Sequence, residues 1–418
     1  MTEEANVDTI KVLLGRIIDS VGDEAIEDGA VILNGERICY AGPRAQAAIP
    51  SNAQVYTCDD ATIMAGFIDA HIHLVGSESV HKSGDTPYDL LLTTVRDLCD
   101  LVDAGVTGVR DMSAFGRPLR DAINMGNIKG PRIMVGGKVL SMSSGHCDFE
   151  VTKTVDQCNA EDLTGFMMDG PEACYKGVRQ QFREGAEFIK ICATGGVSSA
   201  IDDYNDQEFS EEELKVIIGE THRHNTYVTA HCTGTAGTKA ALKAGIDCVE
   251  HGVMLDEECC EIMRKNHVPL VTTLSVSLGI SEMKNLPPHM MRKAQGVKEH
   301  AMRSYQLARQ FGIMVALGTD YSNSPNTPFH GIGREFYSLT RCGYTPMEAI
   351  KAGTINGAKL MKREKEIGTV EKGKLADLVL VQGDPLQDIR VLENADNVKM
   401  VLIGGVIQKQ MDEVRHGL

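Results

Sequence analysis

No run of about 18 consecutive apolar residues occurs in this 418-residue chain, so nothing in it reads as a membrane span. Positive charge is also short: 42 Lys and Arg stand against 58 Asp and Glu, a formal net charge of −16. That balance argues against nucleic acid or an anionic membrane as partner, because binding phosphate needs clustered cations. Twelve cysteines are present but no Cys-x-x-Cys pair, and the only close pair is Cys259-Cys260. Secreted disulfide scaffolds are short and cysteine-dense, and this chain is neither. The opening Met1-Thr-Glu-Glu-Ala-Asn carries no basic segment leading into an apolar one, so a cytoplasmic location is expected. Gly and Pro number 42 and 13, too few for a collagenous or linker-dominated protein.

What is present is enough apolar sequence, 42%, for at least one full core. Short β-rich runs fill residues 8–57, with an Asn34-Gly35 hairpin signal, and the same texture returns at 378–382, 398–403 and 406–409. Two β pieces at opposite ends of a chain can pair into one small domain. Between them the rhythm changes. Apolar strands are expected at 62–70, 106–111, 131–136, 188–192, 227–231, 248–251, 268–273 and 314–319. Helical stretches fall between them at 88–104, 171–184, 210–224 and 290–311, the third opening on a Ser210…Glu213 capping box. Eight strands with intervening helices over about 300 residues fit an α/β fold of the (β/α)8 TIM-barrel type. The expected division is 1–61 plus 363–418 as a small β-sandwich domain formed from both termini, and 62–362 as the barrel.

The ends of these strands carry the chemistry. The first runs into His71-Ile72-His73, and in an extended strand residues two apart face the same way. The fourth holds Lys190 within an apolar run, the fifth ends at His231, the sixth at His251, and the eighth leads to Asp320. In a barrel these C-terminal ends surround one opening, where active sites of the fold sit. Four imidazoles, a carboxylate and an amine are a metal-ligand inventory suited to Zn, and also to Mn or Fe. An ammonium beside divalent cations would be repelled, whereas a neutral amine can add CO2 and become a carbamate able to bridge two metals. Taken singly, each residue has a plainer reading: a packed or surface His-x-His, a snorkelling lysine, core histidines, a helix-capping aspartate. The joint placement in this order weighs against those readings.

The segments Gly66-Phe-Ile-Asp-Ala-His71-Ile-His73, Gly353-Thr-Ile-Asn-Gly-Ala-Lys and Ile367-Gly-Thr-Val-Glu-Lys-Gly-Lys-Leu-Ala-Asp-Leu-Val resemble signatures of the metal-dependent amidohydrolase superfamily. The likeness covers nearly the whole chain. It implies that His71, His73 and Asp320 bind the more buried of two divalent ions, His231 and His251 the more exposed one, and that Lys190, as its carbamate, bridges them. It further implies a hydroxide shared by the metals as nucleophile, with Asp320 carrying its proton to the leaving amine. The segments 106–111, 143–148 and 190–197 are similar to the branch holding Xaa-Pro and Xaa-Arg dipeptidases, ochratoxin-type amidases and imidazolonepropionase-like proteins. From that branch His146 is expected near the substrate, while Thr233 stands where some dipeptidases have a Tyr. Arg110, Tyr227 and His330 are further substrate-binding candidates, although Arg110 has a salt bridge with Asp111 or another barrel carboxylate as its alternative, and Tyr227, four residues before His231, would sit deeper, as a core residue does. His81 and Tyr321 are placed on loops at the same barrel end, and 275–295 as a lid or an irregular connection. The expected function is hydrolysis of an amide or peptide bond in a small molecule such as a dipeptide or N-acyl amino acid, by a homo-oligomer. A cyclic-amide hydrolase of the imidazolonepropionase kind and an inactive barrel scaffold are the alternatives.

Overall fold

A computed structural model of the chain describes residues 10–75, 86–280, 283 and 286–416. His81 lies outside these residues, as do four positions of the 275–295 connection. Among the described residues no helix is long and apolar enough to cross a membrane.

The two chain ends build one mixed sheet. β1 (Lys11–Ile18), β2 (Ile26–Asn34), β3 (Arg37–Pro43) and β4 (Gln54–Ala65) come from the first part of the chain. The sheet runs from the C-terminal strands through β4 and β1 to β2 and β3, bringing Leu378–Gln382 directly against β4. The Asn34-Gly35 signal is a two-residue turn, with Asn34 opposite Arg37 and Gly35 at φ 57°. Residues 62–65, read from sequence as the start of the first barrel strand, pair with 378–381 and belong to this sheet. A continuous apolar run concealed the break, which falls at Gly66: a Cβ there would overlap the Thr107 side chain.

The middle of the chain alternates strands and helices. Its strands are β5 (Phe67–Ile72), β6 (Val106–Asp111), β7 (Arg132–Val135), β8 (Val139–Ser141), β9 (Gly165–Met167), β10 (Ile189–Cys192), β11 (Val228–Cys232), β12 (Cys248–His251), β13 (Leu270–Val271) and β14 (Val315–Ala316). β5, β6 and β7 pair in parallel, and β8 through β14 form a second parallel run. Backbone bonds also join the two sets, from Glu187 N to Val135 O, Ala70 N to Leu317 O and Asp320 N to His71 O. β5, β6, β10, β11 and β12 are buried along their whole length, as parallel strands covered on both faces are. The covering helices include Pro87–Asp103, Pro171–Glu184 and Glu211–Arg223, the last opened by the Ser210–Glu213 capping box. The helix expected at 290–311 is instead two, Pro288–Lys293 and Val297–Gln310, parted where Gly296 takes φ 80°. That left-handed conformation suits glycine and interrupts the helical ladder.

The C-terminal strands complete the terminal sheet as β15 (Leu378–Gln382), β16 (Val398–Ile403), β17 (Val406–Gln410) and β18 (Arg415–His416). Asp377, just ahead of β15, is buried and takes both branches of the Arg132 guanidinium at 2.7 and 2.9 Å, tying this sheet to β7.

Candidate metal centre and active site

His71 lies inside β5 and His73 just beyond its end. His71 Nδ1 donates to Glu250 Oε2 at 2.8 Å, and His73 Nδ1 donates to the Met112 carbonyl at 3.0 Å. With those nitrogens committed as donors, Nε2 is the atom each ring turns toward Asp320 Oδ1, at 3.3 and 3.1 Å, and the one it would offer to an ion. These three residues offer ligand atoms all within 4.8 Å of one another, so the donor set fits a divalent ion.

Strand register brings the other imidazoles to the same place. Cys192 is level with His231 and His231 with Glu250, so Thr229, His231, Cys248 and Glu250 share one strand face. Strict alternation would turn His251 away from Glu250. His251 instead takes φ 68°, and the reversal lets adjacent residues both serve the site. Asp320 is held similarly at φ 61°. Left-handed backbone at two non-glycine residues carries strain that the surrounding contacts maintain. The rings of His71 and His251 are 4.8 Å apart, those of His231 and His251 4.3 Å. Thr273 Oγ1 meets His251 Nδ1 at 2.8 Å, and Thr233 Oγ1 meets His231 Nε2 at 3.0 Å. Thr233 thus occupies the side of His231 where related dipeptidases were expected to carry a phenol.

Lys190 is paired in register with Thr229, one step below the His231 layer. It is 2% exposed, and its Nζ has no hydrogen-bond partner. An unpartnered buried polar atom costs about 1–3 kcal/mol. Such an amine, beside four imidazoles and a carboxylate, fits a group completed by chemistry rather than by packing.

The electrostatics are strongly polarised. Burial holds the His231 and His251 imidazoles well below their usual range, reinforced by neighbouring basic groups including Lys190, so both are neutral at pH 7. Burial opposes ionisation of Asp320, but the surrounding imidazoles outweigh it and keep its carboxyl well below the ordinary range. Burial likewise opposes the Glu250 charge, and Arg110 and His71 overcome it.

Of the expected substrate residues, His146 is at the cluster, its ring 4.3 Å from that of His231. Arg110 is not a carboxylate clamp. Its fully buried guanidinium is spent on the Ala70 carbonyl at 2.6 Å, Tyr227 Oη at 3.2 Å, and Glu250. Tyr227 sits beneath the site as well, stacked on Phe188 and donating to Leu360 O at 2.8 Å. Of the two readings open to Arg110, a substrate carboxylate or a barrel carboxylate, the structure gives the second, and Tyr227 lies in the deeper layer that its place four residues before His231 implies. His330 is turned to solvent from the short turn Phe329–Gly331, whose own buried residues are Phe329 and Gly331; it lies near Asp100 of the helix Pro87–Asp103, apart from the imidazoles. Tyr321 is buried, with its hydroxyl on Ser275 Oγ at 3.0 Å.

Glu250 was missed by the sequence reading. A carboxylate inside an otherwise apolar strand, directly before His251, was the available signal. Asp69 was missed too; it accepts from the Thr319 hydroxyl at 2.6 Å and fixes the turn that presents Asp320.

Residues 62–407 match the amidohydrolase family. The chain belongs to that family. Ochratoxinase from Aspergillus niger is 32% identical over 432 residues, covering 98% of this chain and 88% of its own. Imidazolonepropionase from Sphingopyxis alaskensis is 23% identical over 406 residues, covering 89% and 91%. A solved prolidase complexed with N-methylphosphonate-L-proline superimposes with a TM-score of 0.89 at 28% identity, covering 96% of this chain and all of that one. This amidohydrolase therefore has a TIM-barrel-type α/β fold, and it is a hydrolase of carbon–nitrogen amide bonds.

Two outcomes follow from this geometry. Glu250→Gln puts an amide NH2 against either His71 or Arg110, since one neutral amide cannot accept from both. Metal affinity, read by chelator competition, should fall about 10- to 100-fold; unchanged affinity would show that Glu250 does not set the His71 tautomer. Glu208, which accepts from Ser141 Oγ and His146 N, is pushed up to about 8 by burial. Its raised folded-state value means the fold binds its proton more tightly. That contribution to stability is full below the ordinary value near 4.5 and is lost as pH rises through about 8. In Glu208→Gln the fall of denaturation midpoint between these limits should be shallower than in the wild type; matching slopes would contradict it.

Proposed function

We propose that the protein is a binuclear metal-dependent amidase or dipeptidase, cleaving an amide or peptide bond in a small substrate such as an Xaa-Pro or Xaa-Arg dipeptide or an N-acyl amino acid. The observation that carries this reading is the unpartnered Lys190 amine buried among the imidazoles. It sits one step below the imidazoles in what we take to be a closed barrel, a reading supported by the backbone bonds that β5 makes to β6 and to the residues after β14.

In this reading His71, His73 and Asp320 hold one ion, and His231 and His251 hold a second. The Lys190 amine would add CO2, forming an N–C bond and releasing one proton, and the resulting carbamate would supply a negative charge to the ions these residues hold. Divalent ions bound there, which we take to be zinc, supply acidification of water and polarisation of the scissile carbonyl. Asp320, ionised and facing His71 and His73, has the position to receive a proton as attack proceeds and to pass it to the departing amine nitrogen. Glu250 and the Met112 carbonyl fix the ring orientations of His71 and His73 throughout, so the ligand atoms need not reorganise during the reaction. His146, beside His231, meets the substrate at the rim.

The relatives support this class of chemistry through what their names state: ochratoxinase, prolidase and imidazolonepropionase. A second reading has one specific support. The compact triad of His71, His73 and Asp320 would by itself suit a one-metal cyclic-amide hydrolase of the imidazolonepropionase kind. Assay of the holoenzyme against Xaa-Pro and Xaa-Arg dipeptides and N-acyl amino acids, together with metal analysis, separates the two. Turnover in that panel with two ions per chain is expected. No turnover with one ion per chain would overturn the binuclear reading. Asp320→Asn should abolish turnover while leaving the circular-dichroism spectrum unchanged; retained activity would remove Asp320 from proton transfer.

A further inference from the structure

The short helix Pro288–Lys293, in the segment expected to be a lid or an irregular connection, packs on the loop that follows β10. Lys293 Nζ donates to Gly196 O at 2.9 Å, to Ser199 O at 2.9 Å and to Asp202 Oδ1 at 2.6 Å. One turn earlier on the same helix face, His289 Nε2 donates to Ser198 O at 3.1 Å. Two side chains of one helix thus take three consecutive-region carbonyls and a carboxylate of the loop that follows β10.

That loop in turn holds His146. Asp202 Oδ2 accepts from Gly196 N at 2.8 Å and from His146 Nδ1 at 3.2 Å, and Ser199 donates to the other Asp202 oxygen. Ser199 Oγ is also 2.9 Å from His146 Nδ1, and Ser198 Oγ is 3.4 Å from its Nε2. The ring lies so close over Gly196 that a Cβ there would stand 2.1 Å from His146 Cε1. Nothing larger than glycine leaves room for the ring, and the same ring is the one beside His231.

We propose that Lys293 is a positioning residue for the hydrolytic site: by gripping residues 196, 199 and 202 it fixes the loop after β10, and through Asp202 and Ser199 it holds the His146 ring in place beside His231. The importance of His146 to the substrate rests on the amidase reading above; the grip on the loop does not. An exposed ion pair would carry little weight. Here the Lys293 side chain is 11% exposed and Asp202 1%, so neither has water as a ready substitute. The Lys293 side chain links one βα unit to another that lies about 90 residues earlier in the chain.

The test uses the metal-loaded full chain and the variants Lys293→Met and Lys293→Arg. In the wild type, hydrogen–deuterium exchange of 195–203 should be as slow as that of β10; exchange as fast as in an exposed loop would overturn the proposal without any variant. Lys293→Met should speed exchange in 195–203 and in the segment around His146, with metal content unchanged. On the substrate the wild type turns over best, kcat should fall about tenfold or more with a smaller change in KM. Lys293→Arg, which keeps the charge and the donors, should recover most of it. Faster exchange with unaltered kcat, or unaltered exchange in Lys293→Met, would overturn the assignment. A wild type inactive on the whole panel would remove the amidase reading, while the exchange measurements would still decide whether Lys293 holds the loop.

Discussion

A lysine amine enclosed without an acceptor, at the floor of a ring of imidazoles, is the constraint on which the arrangement of this site turns. Polar atoms buried in folded proteins almost always find partners, and Lys190 has none. Around it each charged group is matched: Glu250 is shared by Arg110, Thr229 and His71, and Asp320 is faced by His71 and His73. Within this cluster the unmatched atom is the Lys190 amine, and an anion formed there would join several neutral imidazoles as a further candidate ligand for a cation.

The supports of the site are built from groups with no direct part in bond cleavage. Arg110 neutralises Glu250, Glu250 sets the tautomer of His71, and Asp69 fixes the turn before Asp320. The strained backbones of His251 and Asp320 complete the convergence. Such pre-set orientation is what lets a hydrolytic centre stabilise developing charge without reorganising at the moment of reaction. Above this layer, the loop after β10 and the helix Pro288–Lys293 form an outer hold that ends on His146.

Much of this was legible in the chain before any coordinates. His71 and His73 are two apart on a strand, and period-two alternation suffices to predict that they face one point. The alternation of strands and helices gave the fold class, and the capping box located the start of the helix at Glu211. The failures have physical causes. Residues 62–65 are as apolar as barrel strand, yet they lie in the terminal sheet between Arg16–Ile18 and a segment more than 300 residues away. Arg110 lies near the end of its strand, but sequence alone does not show that Glu250 already claims its guanidinium. Glu250 was overlooked because alternation says that it and His251 face opposite ways; only a positive φ, invisible in sequence, reconciles them. Lys293 reaches Asp202 through tertiary packing alone.

The central claim is that Lys190 is completed as an anion when the site is loaded. Carbon-13 NMR of the protein reconstituted with zinc in labelled bicarbonate tests it most directly. The account predicts a protein-bound carbamate resonance that appears with metal and is missing in Lys190→Ala under the same conditions. A fully metal-loaded wild type that shows no such resonance, or a resonance that persists without Lys190, would contradict it.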